Sequence, residues 1–176
     1  MTVEVTIRNR QRTRRVDVRR LRRIGEALLA EELALPSAVL GVQLIGARAM
    51  AALNWRWLRH EGSTDILTFD ERHLGNPGGA EGTSPGAGPG EGLPEASSET
   101  EALRGELFIS VDDAVCQARE FGTSPGAELV RYLVHGVLHL RGFDDLEAAK
   151  RRIMKRAEDR LVRRLAERFS PRGLLR

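Results

Sequence analysis

Residues 75–102, GNPGGAEGTSPGAGPGEGLPEASSETEA, set the strongest limit on how this chain folds, because they offer a hydrophobic core almost nothing. The stretch is rich in glycine, proline, serine and glutamate and lacks apolar periodicity, so burial cannot offset the entropy of ordering it. It is expected as a disordered insertion within a single domain spanning residues 1–176. The core must then be assembled from the segments on either side. The strand-like runs TDILTF (64–69) and GELFIS (105–110) are expected to pair with each other across the insertion. At 176 residues and 41% hydrophobic content, the chain suits one domain with a real core.

The remaining sequence alternates strand and helix patterns. Val3, Val5 and Ile7 recur at the period of a half-buried strand, and from Asp17 the spacing of Leu21, Ile24 and Leu28 becomes helical, ending near Pro36. Val39, Leu40, Val42, Leu44 and Ile45 suggest a second strand. The run ARAMAALNWRWL that follows is a helix with Met50, Leu53 and Trp57 on one side, which places Trp57 in the core. Ser110 and Asp113 form a capping-box pattern, Gly122 is placed to end that helix, and Ser124 with Pro125 opens the next. A final helix from about Leu146 carries Leu146, Ala149, Ile153, Ala157 and Leu161 as its expected apolar face. This order implies a mixed α/β or α+β domain.

Charge and cysteine content narrow the function classes. Lys and Arg total 28 against 25 Asp and Glu, a formal charge of +3, and the cations are mostly arginine, whose planar fork of donors suits phosphate. An anionic partner is favoured. Cys116 stands alone, which excludes an intrachain disulfide and a four-cysteine zinc site and fits a reducing compartment. The amino-terminal run lacks the apolar core of a signal peptide, and no stretch has the length to span a bilayer, so a cytoplasmic protein is expected.

The chemistry concentrates in residues 134–145, VHGVLHLRGFDD. His135 and His139 stand four apart, so on a helix both imidazoles lie on one face and can supply two nitrogen ligands to a zinc ion. Gly142 permits a left-handed turn that brings the chain back, with Asp145 placed to supply a third ligand. Two histidines, a carboxylate and an open position describe a catalytic metal site, where an activated water serves hydrolysis or a related transfer. A plain helix end that happens to contain two histidines is the competing reading, with Asp145 in the first turn of the last helix. Asp144 and Glu147 already offer a capping box there, which leaves Asp145 for another role. The H-E-x-x-H motif of zinc proteases needs glutamate beside its first histidine; here that position is Gly136.

These residues resemble the YbeY family of endoribonucleases, the rRNA maturation factors, whose signature is H-G-x-L-H-L-x-G-[YF]-D-H. HGVLHLRGFDD matches it up to the last position, which is Asp145 here. TDILTF and GELFIS resemble two further family blocks, T-D-V-L-S-F and G-D-I-x-I-S, in the family's order, with Leu53 and Asn54 upstream. The resemblance implies a metal-dependent hydrolase fold with a central mixed sheet of about four strands flanked by helices. It implies one zinc per chain, held by His135, His139 and Asp145. The implied activity is cleavage of single-stranded RNA in small-subunit (16S) rRNA maturation and ribosome quality control. Its partners would be rRNA and the small ribosomal subunit, with no DNA and no membrane.

Two departures bear on that activity. Asp145 is an anionic ligand in place of a third imidazole and should reduce the Lewis acidity of the metal. Four residues after Asn54, where the family commonly has arginine, stands Leu58, with Arg59 and Arg56 beside it. The catalytic arginines are expected to be Arg59 and Arg131, the latter one turn before His135, with Arg141 a third candidate. The runs RNRQRTRR (8–15) and KRRIMKR (150–156) read as solvated surface or as an extended RNA track. Trp55, Trp57 and Phe143 are candidates for stacking on bases, although core packing is the expectation for Trp57. Thr64 and Asp65 are expected to orient a loop. A metal-activated water attacking phosphorus leaves a 5′- or 3′-phosphate, whereas deprotonation of the 2′-hydroxyl leaves a cyclic phosphate. An RNA-binding assembly factor with little turnover, and a hydrolase for a peptide or nucleotide, are the alternatives.

Overall fold

The structure is a computed structural model that describes residues 2–71 and 102–176. The expected insertion at 75–102 lies outside the described residues, save Ala102. In chain order the elements are β1 (Thr2–Asn9), α1 (Val18–Ala27), a π-helical turn (Leu28–Glu32), β2 (Ser37–Ile45), α2 (Ala47–Leu58) and β3 (Ile66–Asp70). They continue with β4 (Leu103–Ser110), α3 (Val111–Phe121), α4 (Pro125–Leu140) and α5 (Ala148–Arg168).

The sheet order is β1-β2-β4-β3. β1, β2 and β4 run parallel, and β3 pairs antiparallel with β4 at the edge, Ile66 opposite Ile109 and Asp70 opposite Gly105. The two blocks flanking the Gly/Pro-rich stretch are thus neighbours in space, as expected. The result is a mixed α/β domain with a four-stranded sheet and helices on both faces. No helix among the described residues is long and apolar enough to cross a membrane.

Local chemistry sets most boundaries. The Asp17 carboxylate accepts from the Arg20 amide at 3.0 Å and starts α1. Leu33 N–H bonds to Leu28 O at 3.0 Å, the wide turn that lets the chain leave α1 and reach Pro36. Asp65 Oδ1 accepts from Ile66 N–H (2.9 Å) and Thr64 Oγ1 (3.1 Å), so these two residues form the entry to β3, as expected for loop-orienting groups. Ser110 Oγ caps α3 through Asp113 N–H, and Gly122, at φ +67°, ends it. The Asp113 carboxylate does not close the capping box; it accepts from Ser63 Oγ.

The larger core lies on the α1 and α4 side of the sheet and includes Leu40, Leu107, Ile109, Leu133 and Val137. The smaller one, Ile45, Met50 and Leu67 with Leu53, Leu58, Phe69 and Phe108 around them, lies beneath α2. α4 is buried along most of its length, between the sheet and α3 and α5. Gly136 is what lets it approach so closely, since a Cβ there would come within 2.5 Å of Ile66 Cδ1 and 2.8 Å of Leu107 Cδ2.

Two expectations are corrected. α5 buries Met154, Glu158, Leu161 and Leu165, while Leu146 and Ile153 are 52% and 54% exposed. Its inner stripe is therefore displaced from the apolar reading, because Glu158 enters the protein to meet a histidine and two cations. Trp57 is not a core residue: it is 57% exposed and touches Phe69 edge-on, with ring centroids 5.6 Å apart. Met50 and Leu67 already fill the space beneath α2.

Candidate metal centre

α4 begins with Ser124, whose hydroxyl accepts from Ala127 N–H at 3.2 Å, and with Pro125 in its first turn. The sixteen residues of this helix carry His135 and His139 on one face. After Leu140 the chain reverses at Gly142, φ +83°, with Phe143 N–H bonded to Leu138 O at 3.1 Å. This turn returns residues 143–145 alongside the last turn of α4.

Each imidazole is held from behind. His135 Nδ1 lies 2.9 Å from Glu158 Oε2, and His139 Nδ1 lies 3.1 Å from the Phe143 carbonyl oxygen, an acceptor that requires Nδ1–H. Both Nε2 atoms consequently point at each other, 3.0 Å apart. Asp145 Oδ2 stands 3.8 Å from Nε2 of His135 and 3.9 Å from Nε2 of His139. The three ligand atoms lie within 4.8 Å of one another. Tetrahedral zinc with bonds near 2.0–2.2 Å places its ligand atoms about 3.4 Å apart. The observed spacings bracket that value, so the donor set fits such an ion with a small inward movement of Asp145. All three side chains retain partial solvent access, and on this geometry the group can hold a metal ion with a further position left for water.

The electrostatics follow from the same contacts. Burial pulls the His135 pKa down, but the hydrogen bond and charge of Glu158, aided by Asp65 and Asp145, leave it raised. His139 is lowered, by burial and by its neighbour His135, against the opposing pull of Asp145 and the Phe143 carbonyl. Burial of Glu158 favours its neutral form, yet donors from His135, Lys155 and Arg131 outweigh this and bring its pKa to about 2. It stays ionised in the interior because charged donors surround it.

The structure brings His135, His139 and Asp145 together as the sequence suggested. Arg131 is placed one turn before His135, but its guanidinium reaches Glu158 Oε1 at 2.5 Å and Asp159 Oδ1 at 2.8 Å, so its charge is engaged behind the histidine. Arg59 terminates α2 in a left-handed conformation, φ 56°, and is exposed. Arg141 caps α4. The arginines of residues 8–15 are exposed around Gln11, which accepts from the Thr13 and Arg14 amides and donates to Arg14 O. Part of the 150–156 run is structural: Lys150 pairs with Asp144 and Glu147, and Arg151 donates to the carbonyls of Asp145 (2.7 Å) and Leu146 (2.9 Å). Asp144 accepts from Leu146 N–H at 2.9 Å, a turn rather than the expected capping box, and still leaves Asp145 directed at the histidines.

Glu158 and Arg151 are the residues that sequence reasoning missed. The only signal for Glu158 is a charge within the spacing Met154, Leu161, Leu165, and nothing in that spacing names His135 as its partner.

The fold and the three-residue group define a mixed α/β protein able to hold a metal ion at the end of a buried helix. The chain belongs to the YbeY family: the family model Endoribonuclease YbeY matches residues 6–166. Among curated relatives, Endoribonuclease YbeY of Anaeromyxobacter sp. is 38% identical over 145 residues, covering 82% of this chain and 63% of the relative. Endoribonuclease YbeY of Mycobacterium tuberculosis is 33% identical over 127 residues, covering 72% and 64%. The match thus spans a little under two thirds of the length of these relatives. The solution structure of TM1509 from Thermotoga maritima shares the fold, with a TM-score of 0.60 at 20% identity over 97% of this chain and 95% of that one.

Proposed function

We propose that this protein is a zinc-dependent, single-strand-specific endoribonuclease of the cytoplasm, acting on small-subunit (16S) rRNA in maturation and ribosome quality control. The observation that carries the reading is the convergence of His135, His139 and Asp145, with both Nδ1 atoms engaged and both Nε2 atoms directed at one point. Membership of the YbeY family supports RNA as the substrate. Bound there, zinc supplies Lewis acidity and an activated water for attack on a phosphodiester.

The protein's own residues do the rest. Glu158 fixes the tautomer and ring angle of His135, and the Phe143 carbonyl does the same for His139. Arg151 pins the backbone of Asp145. Exposed Arg59 supplies positive charge to the substrate phosphate, a contact that makes binding sensitive to salt. Arg131 acts through Glu158, because its guanidinium already faces three carboxylates, those of Glu128, Glu158 and Asp159.

One observation favours the second reading, an RNA-binding assembly factor with low turnover: Leu58, where the family commonly has arginine, packs against the small core beneath α2. Metal analysis of the purified protein together with cleavage of single-stranded RNA decides between the two. The nuclease is expected to carry about one zinc per chain, to stop cleaving on chelation, and to lose cleavage but keep RNA binding in His139→Ala. A wild type that carries zinc and binds RNA without cleaving it establishes the second reading, and a metal-free wild type whose cleavage ignores chelator overturns the metal assignment.

A further inference from the structure

Both tryptophans of the chain are exposed on the last turn of α2, Trp55 at 51% and Trp57 at 57%. Large rings left in water on one short helical turn mark a contact surface more often than a packing remainder. At about 100° per residue, Trp57 stands at the exposed end of the Met50 and Leu53 face of α2, Trp55 projects from another side of the same turn, and Arg56 lies between the two, with Arg59 following at the left-handed end of the helix. The Arg56 guanidinium lies over the Trp57 ring, 5.8 Å from its centroid. Behind it, Trp57 meets Phe69 edge-on, and Phe69 meets Phe108 the same way at 5.5 Å, an aromatic ladder that anchors the exposed ring to the core beneath α2. Between residues 47 and 64 the sequence holds three arginines and a single carboxylate, Glu61.

We propose that this aromatic and basic turn of α2 is a stacking platform for the bases of single-stranded RNA, with Arg56 and Arg59 on the adjoining phosphates. The inference rests on the RNA reading above and extends it to where the substrate lies. Exposed rings with guanidinium groups beside them fit a strand that offers both π-faces and phosphates, and the contact is indifferent to base identity. The position suits it. Asn54 Nδ2 donates to Gly62 O at 3.1 Å and folds the loop after α2 back on the helix, and that loop leads to Asp65, whose charge acts on His135. At the start of β3 the Ile66 side chain packs over Gly136, next to His135, and towards its end Phe69 touches Trp57. Asp65 and Phe69 are about 13 Å apart along the strand, a few stacked nucleotides in length. Because β3 is the edge strand, RNA held at the metal centre reaches Trp57 by rounding that edge.

The two tryptophans are also the only indole reporters in the chain. Zinc-loaded protein is mixed by stopped flow with single-stranded RNA of about twelve nucleotides or with the matching duplex, and indole emission is followed before cleavage proceeds. Single strands are expected to quench emission and the duplex to leave it unchanged. Trp57→Ala is expected to raise KM about tenfold or more with little change in kcat, and Trp55→Ala less, with unfolding midpoints near wild type because both rings are exposed. Cleavage with unchanged emission, and an unchanged KM in the double alanine variant, overturns the platform while leaving the nuclease reading intact. Equal quenching by the duplex also overturns it, as does self-association of the wild type that the double variant abolishes without effect on RNA. A zinc-loaded wild type that neither binds nor cleaves RNA removes the reading on which the platform rests.

Discussion

Glu158 braces one histidine of the candidate metal centre, and it is the residue of that site for which the sequence offered least. Its carboxylate is buried, 4% exposed, and receives His135 Nδ1, Arg131 Nη1 and Lys155 Nζ at 2.5–2.9 Å. Glu158→Gln keeps the shape and one acceptor but removes the charge that favours Nδ1–H on His135. Zinc affinity, measured by competition with a chromogenic chelator, is expected to fall about ten- to a hundredfold. Asp159→Asn, at a half-exposed neighbour that also meets Arg131, serves as the control and is expected to leave affinity near wild type. Equal affinities in wild type and Glu158→Gln would show that Glu158 is only a helix clasp. The histidines and Asp145 were legible because an i, i+4 pair and a glycine reversal are local geometry. Glu158 was not, since its partner lies 23 residues upstream and no periodicity joins them.

At the level of elements, α4 carries the histidines at a fixed height above the sheet, and Gly136 sets that height. Alanine there gains about 1 kcal/mol in helix propensity but forces Ile66 and the fully buried Leu107 to move, an overpacking cost of about 1–3 kcal/mol. Gly136→Ala is expected to lower stability by about 1–2 kcal/mol on balance, read as a lower urea midpoint at unchanged m-value. A midpoint at or above that of wild type would show that the helix has slack over β3 and β4. The same contacts explain why the glutamate of an H-E-x-x-H protease has no place at this position: its side chain would point into the sheet. Apolar spacing, helped by caps and turn residues around α3 and α4, located nearly every element, and the run ARAMAALNWRWL coincides with α2 at both ends. The faces of α5 and Trp57 were misread for one reason. Apolar spacing reports which residues form a stripe, whereas burial is decided by what stands opposite, Glu158's partners in one case and an already filled core in the other.

In the whole molecule, Glu158 also joins two layers, since α5 reaches α4 through its contacts with Arg131 and His135. Its folded pKa, about 2, lies below the ordinary 4.5. As acid is added, the unfolded chain therefore takes up this proton first, and the stabilisation, complete above about 4.5, is lost as the pH falls towards 2. In chelator, the pH dependence of urea unfolding between these limits is expected to be shallower by about one proton in Glu158→Gln than in wild type. Parallel slopes would place the acid sensitivity elsewhere. The sequence by itself determined the element order, the serine caps of α3 and α4, the pairing of TDILTF with GELFIS and the three candidate ligands, because each follows from contacts a few residues apart or from the exclusion of an unfoldable stretch from the core. Only the tertiary structure decided the order β1-β2-β4-β3, the inward turn of Glu158, the engagement of Arg131 and the exposure of Trp57. Those outcomes depend on which distant surfaces meet, and burial free energy is a property of the meeting rather than of either strand or helix alone.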